Sequence, residues 1–129
     1  MLPFTVTLRP GLSVHEQVVF AVKKAIVSGR LRPGDEFPSV RVLSRELRIN
    51  PNTAHKVVGT LITEGLLDVR PGVGTFVAER PPADARDRRA LLREDVQRLV
   101  VDARHLNLDV QTVLDAIVEH WNRLDRGSR

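Results

Sequence analysis

Residues 37–77 read FPSVRVLSRELRINPNTAHKVVGTLITEGLLDVRPGVGTFV, and the punctuation of this stretch decides the fold. Ser39 stands where a helix N-cap belongs, and Val40, Leu43 and Leu47 follow at spacings of three and four. Ile49-Asn50-Pro51 breaks that helix, and Asn50 as N-cap with Pro51 in the first helical position starts another. The second helix is expected to bury Ala54, Val57, Val58, Leu61 and Ile62, and Gly65 closes it where a left-handed residue is needed. Leu66, Leu67 and Val69 then lead into Arg70-Pro71-Gly72-Val73-Gly74, and Thr75-Phe76-Val77 returns. That is the pattern of a two-stranded hairpin with glycines in its tip.

Two short helices on a tight turn followed by such a hairpin outline a winged helix-turn-helix, in which the second helix lies in the DNA major groove. Asn52, Thr53, His55 and Lys56 crowd the start of that helix, and all can make hydrogen bonds. The N-terminal end of a recognition helix enters the groove and its free N–H groups favour phosphate, so residues of this kind belong there. A solvated polar face is the competing reading, because such faces are common on helices. Gly59 has no propensity reason to sit in a helix interior, where it costs roughly 1 kcal/mol against Ala. A close approach, either to the first helix or to DNA, would explain it. Arg70, at the shoulder of the hairpin, is placed to meet a phosphate or enter the minor groove. The two tip glycines are not a nucleotide-binding loop, since a strand follows them where a helix would be required.

Outward from this stretch, Phe4-Thr5-Val6-Thr7-Leu8 alternates like a short strand and Pro10-Gly11 follows as a turn. Ser13 caps a first helix with Glu16 three residues on, its buried stripe being Val14, Val18, Val22, Ala25 and Ile26, and Gly29 stops it. Asp35 and Glu36 read as turn and cap chemistry and not as a catalytic pair. Arg80-Pro81-Pro82-Ala83-Asp84 is a proline-stiffened linker. Beyond it, Leu92, Val96, Leu99, Ala103 and Leu106 form a narrow seam at alternating spacings of four and three. After a break at Asn107-Leu108-Asp109, with Asp109 as a cap, Val110, Leu114, Ile117, Trp121 and Leu124 repeat the spacing, thickened by Val113 and Val118. The expected organisation is a DNA-binding domain over 1–79, a linker over 80–84 and a two-helix dimerisation region over 85–126. The fold class is mainly α with a small β-wing. Two helices this short bury both stripes poorly against each other, so the stripes should pack on a second copy, with Leu92, Val96, Leu99, Ala103, Leu114, Ile117 and Trp121 at the contact. Packing back onto the winged domain is the alternative.

The chain resembles GntR-family transcriptional regulators. The resemblance rests on Ser28-Gly29-Arg30-Leu31-Arg32-Pro33-Gly34-Asp35, Pro38-Ser39-Val40-Arg41, Asn50-Pro51-Asn52-Thr53, Glu64-Gly65-Leu66-Leu67 and Arg70 through Val77, which agree in order and spacing from about His15 to Val77. It implies that Arg41 grips the DNA backbone, that Thr53 and its neighbours contact DNA from the recognition helix, and that the Gly72 tip lies near the minor groove. The expected DNA-binding set is Ser39, Arg41, Asn52, Thr53, His55, Lys56, Arg70, Gly72 and Gly74. His55 departs from the family, which often has an arginine there, and this leaves open which base is read. The tail is too short for a large effector domain or an aminotransferase-like one. In length and helical pattern it is similar to the YtrA subfamily, whose members are typically dimeric repressors of transporter operons.

Composition narrows the alternatives. The net charge is +4, with ten Lys/Arg against seven Asp/Glu in residues 1–79 and ten against nine in 80–129, which favours a polyanionic partner for the first part. The absence of Cys excludes disulfide and thiol chemistry. No apolar run approaches the roughly 20 residues needed to span a bilayer, and no signal peptide is visible, so a cytoplasmic location is expected. His15, His55, His105 and His120 lie on separate helices, and His15 reads as a partly packed surface residue. The pairs Asp102–His105 and Glu119–His120 stop short of a three-ligand metal set. No nucleophile elbow or nucleophile–base spacing is present, so no enzyme, cofactor or metal is expected. The remaining alternative keeps the fold and changes the role, to a protein-interaction or RNA-binding module. The polar start of the second helix and Arg70 argue against it. The sequence names no effector ligand.

Overall fold

Three side-chain caps set the helices of the N-terminal part. The Oγ of Ser13 accepts from the Glu16 amide at 3.2 Å and opens α1, Val14–Val27. That of Ser39 accepts from Val42 at 3.2 Å and opens α2, Val40–Leu47. Asn50 Oδ1 accepts from Asn52 at 2.8 Å and opens α3, Pro51–Thr63, with Pro51 in the first turn. The α2–α3 turn is made by Arg48, in the left-handed region at φ 55°. Gly65, at φ 78°, ends α3 as expected. The structure, a computed structural model, describes residues 2–79 and 84–127.

The helices meet over a core of Val18, Val22, Ala25, Leu31, Leu43, Ala54, Val57, Leu61 and their neighbours. Val19 joins this core although it was not in the expected stripe of α1. Ile62 leaves it: at 37% exposure it sits where the helical rotation carries it past Val58, the edge of the buried arc on that side. Strands β1 (Glu36–Phe37), β2 (Leu67–Arg70) and β3 (Gly74–Val77) form an antiparallel sheet in the order β1-β3-β2. The hairpin is as expected, whereas β1 corrects the reading of Glu36 as turn chemistry. Two residues are too few to show a period of two in the sequence.

The pleat corrects a second expectation. The apolar Phe76 of the returning strand is by composition a core residue, yet it is only half-buried, and Val77 points inward with its partner Leu67. Successive strand residues face opposite sides, so only one of the two can reach the core. The segment Phe4–Leu8 is a third correction. Its alternation is real, with Phe4 buried and Val6 and Leu8 half-buried between exposed threonines, yet it forms no strand. Phe4 stacks on Phe37 with ring centroids 5.8 Å apart, so side-chain packing and not a hydrogen-bonded ladder fixes the segment.

The chain divides into two compact units, the second spanning residues 82–125. The expected linker lies outside the described residues except for Asp84, whose carboxylate accepts from the Arg86 amide at 2.8 Å and caps α4, Ala85–Ala90. Helix α4 continues through a π-helical segment, Leu91–Asp95, into α5, Val96–His105. Asn107, at φ 60°, turns the chain, and Asp109 Oδ1 accepts from Thr112 at 3.0 Å to cap α6, Val110–Gly127. Ala103 is buried near the turn, but the helices do not pack along their lengths. Leu92, Val96, Leu99, Leu114, Ile117 and Trp121 remain 40–69% exposed in the single chain.

Candidate nucleic-acid interface

Helix α3 places its polar residues by simple rotation. Ala54, Val57, Val58 and Leu61 are buried on one side, so Asn52, His55, Lys56 and Gly59 stand exposed on the other. Thr53 lies at the flank and is half-buried. The cap made by Asn50 satisfies one of the free amides at the start of α3, and the positive end of the helix dipole remains directed outward. A hydrogen-bonding surface of this kind, on the first two turns of a helix, suits an anionic ligand read by polar side chains.

Arg41 is exposed in the first turn of α2, with no carboxylate within ion-pair distance among the described residues. The hydroxyl oxygen of Ser39 is engaged in the α2 cap, which leaves its O–H hydrogen available as a donor. On the sheet, Arg70 and Phe76 share the face away from the core, and the guanidinium carbon lies 4.2 Å from the ring centroid. This contact places a cation where β2 enters the tip of the hairpin. The tip is a tight turn: the Val73 amide donates to the Arg70 carbonyl at 2.9 Å, and Gly72 adopts φ 76° after Pro71, as a type II turn requires. Gly74, at φ 150°, begins the returning strand.

Sequence reasoning missed one feature at this surface. The Nε2 of His15, at the start of α1, lies 2.8 Å from the Thr60 hydroxyl on α3, tying the two helices together beside Lys56 and Gly59. Forty-five residues separate the pair. No periodic pattern could have linked them. Beside them, Lys23 of α1 and Glu64, just past α3, form an ion pair at 3.2 Å.

Elsewhere the chemistry is sparse. Among the described residues there is no group of three or more His, Cys, Asp or Glu able to hold a metal ion, and no helix is long and apolar enough to cross a membrane. A cleft of about 600 Å³ lies at the α5–α6 turn, lined by Val100, Ala103, Arg104, Leu108, Val110 and Val113 among others.

Comparison with known proteins gives this geometry its context. The family model for bacterial regulatory proteins of the gntR family matches residues 14–77. The transcriptional repressor YtrA of Bacillus subtilis is 28% identical over 112 residues, covering 86% of each chain. A crystal structure of a transcriptional antiterminator from Listeria monocytogenes has the same fold, with a TM-score of 0.82 at 24% identity over 94% of this chain and 91% of that one. The DNA-binding domain of AraR, solved in complex with operator ORE1, matches with a TM-score of 0.50 at 29% identity, over 60% of this chain and 98% of that one.

Proposed function

Since the chain belongs to the GntR family of bacterial regulatory proteins, and is a YtrA-like DNA-binding transcription regulator and not an enzyme, we propose that it acts in the cytoplasm as a homodimeric repressor on an inverted-repeat operator. The observation that carries this reading is the polar outer face of α3, together with exposed Arg41 on α2 and Arg70 anchored on Phe76. In this arrangement Asn52, Thr53, His55 and Lys56 reach base edges and nearby phosphates. Ser39 and Arg41 hold the backbone, and Arg70 with the Gly72–Gly74 tip lies along the minor groove. AraR, whose DNA-binding domain was solved on operator DNA, supports the same mode of binding here.

The tail supports the dimer reading. A stripe from Leu92 to Leu99 and another from Leu114 to Trp121 are left uncovered in one chain, and contiguous apolar surface of this kind marks an interaction site. A second copy covers both stripes and supplies a second recognition helix, matching the two-fold symmetry of an inverted repeat.

Selection of duplexes from a random pool, followed by footprinting, tests the proposal. The expected site contains two inverted half-sites about 10 bp apart or a near multiple. Affinity should fall steeply with salt, because Arg41, Lys56 and Arg70 displace counterions from phosphates. Equal affinity for scrambled duplex, or indifference to salt, would overturn it.

A further inference from the structure

Gly59 sits in the interior of α3 with ordinary helical geometry, since it is not among the residues with positive φ. Glycine there weakens the helix relative to alanine, so something must favour it. Packing against α1 is not the reason. A Cβ built on Gly59 meets nothing within 4 Å, and the residue is exposed. The fold has room for a larger side chain, and the sequence does not use it.

The side chains around the vacancy carry polar and charged groups. A shallow cleft over Gly59 is lined by His15, Lys56, Thr60, Thr63 and Glu64. Lys56 supplies a cation, Thr63 a hydroxyl, and the His15–Thr60 hydrogen bond of 2.8 Å fixes one wall. Glu64 contributes the single carboxylate, and Lys23 pairs with it at 3.2 Å, which lessens its repulsion of an anion. Gly59 lies one turn beyond His55 and Lys56, on the outward line of the helix.

We infer that Gly59 is the close-approach point of DNA on α3: a sugar–phosphate strand bordering the groove lies in the cleft between Lys56 and the His15–Thr60 wall, and any side chain at position 59 holds the helix away from it. The inference rests on the DNA-binding function proposed above and assigns a positioning role to a residue that carries no functional group.

The test uses the full-length protein and a duplex selected by the wild type. Gly59→Ala should raise the melting temperature and weaken binding several-fold. Gly59→Leu should keep its helix content by circular dichroism and weaken binding by at least about tenfold, since a larger side chain enforces a larger separation. A folded Leu variant that binds within about twofold of wild type overturns the inference while leaving the DNA-binding reading intact. A lower melting temperature for the Ala variant, or loss of the fold in the Leu variant, also overturns it, because glycine would then be serving the fold. Failure of the wild type to enrich any duplex removes the proposed function itself, and this inference with it.

Discussion

Arg41 and His55 are both exposed on neighbouring helices, yet they should fail in different ways when removed. Arg41→Ala deletes a phosphate contact, so affinity should drop by a similar factor on every duplex and the salt slope should shrink by about one. His55→Ala and Thr53→Ala should instead redistribute affinity among operator variants, by roughly 1–3 kcal/mol at the base each one reads. Competition binding on a panel of single-base variants at two salt concentrations separates the outcomes. An identical consensus for the wild type and both variants would remove base reading from this turn. The chemical types needed for these roles were legible in the sequence because helical rotation alone sorts buried Ala54 and Val57 from exposed His55 and Lys56. Phe76 was not legible: the composition of Thr75-Phe76-Val77 suits a core strand, and the pleat decides which of two adjacent apolar residues turns inward. Arg70 then covers the ring left outside. The His15–Thr60 bond was equally hidden, since it depends on how α1 crosses α3.

At the scale of elements, the caps that announced the helices in the sequence also carry part of their stability. Asn50→Ala leaves the Asn52 amide without its side-chain acceptor and should cost about 1 kcal/mol, read as a lower denaturant midpoint with an unchanged slope. Asp109 does the same work at α6 but with a titrating group. Hydrogen bonds donated by Thr112, first from its side-chain hydroxyl and then from its backbone amide, hold the Asp109 carboxyl below the usual carboxylate range. A carboxyl depressed by folding stabilises above its unfolded pKa and loses that contribution as pH falls through the folded value. The start of α6 should therefore fray on acidification, seen as faster amide exchange at Thr112. Asp109→Asn should lessen this acid response. Strand β1 and the Phe4–Leu8 segment mark the limit of such reading. One is too short to show a period; the other has the period of a strand but is held by stacking on Phe37. The π-helical segment within 91–95 left no signal either, because the four-and-three spacing of Leu92, Val96 and Leu99 passes through it unbroken.

For the whole molecule, the decisive question is what the tail does for the winged domain. The N-terminal unit has its own core, from Val18 and Val22 on α1 through Leu43 and Leu61 to Val77 on the sheet. Truncation after Glu79 should leave that core folded, with its melting transition retained. The tail has almost no core within one chain: Ala103 is its buried apolar residue among those described, while Leu99, Ile117 and Trp121 stay exposed. If a second copy covers these stripes, the truncated protein should sediment as a monomer at micromolar concentration. Its affinity for a two-half-site operator should then fall by orders of magnitude, because the second half-site is no longer bound at high effective concentration. Its affinity for a single half-site should barely change. Trp121→Ala in the full chain is the milder form: loss of a large aromatic anchor should weaken self-association by about 2 kcal/mol or more while the winged domain melts as before. A truncated chain that remains dimeric would move the interface into the winged domain. One that unfolds would mean that the tail completes a single continuous core, and the exposed stripes would need another explanation.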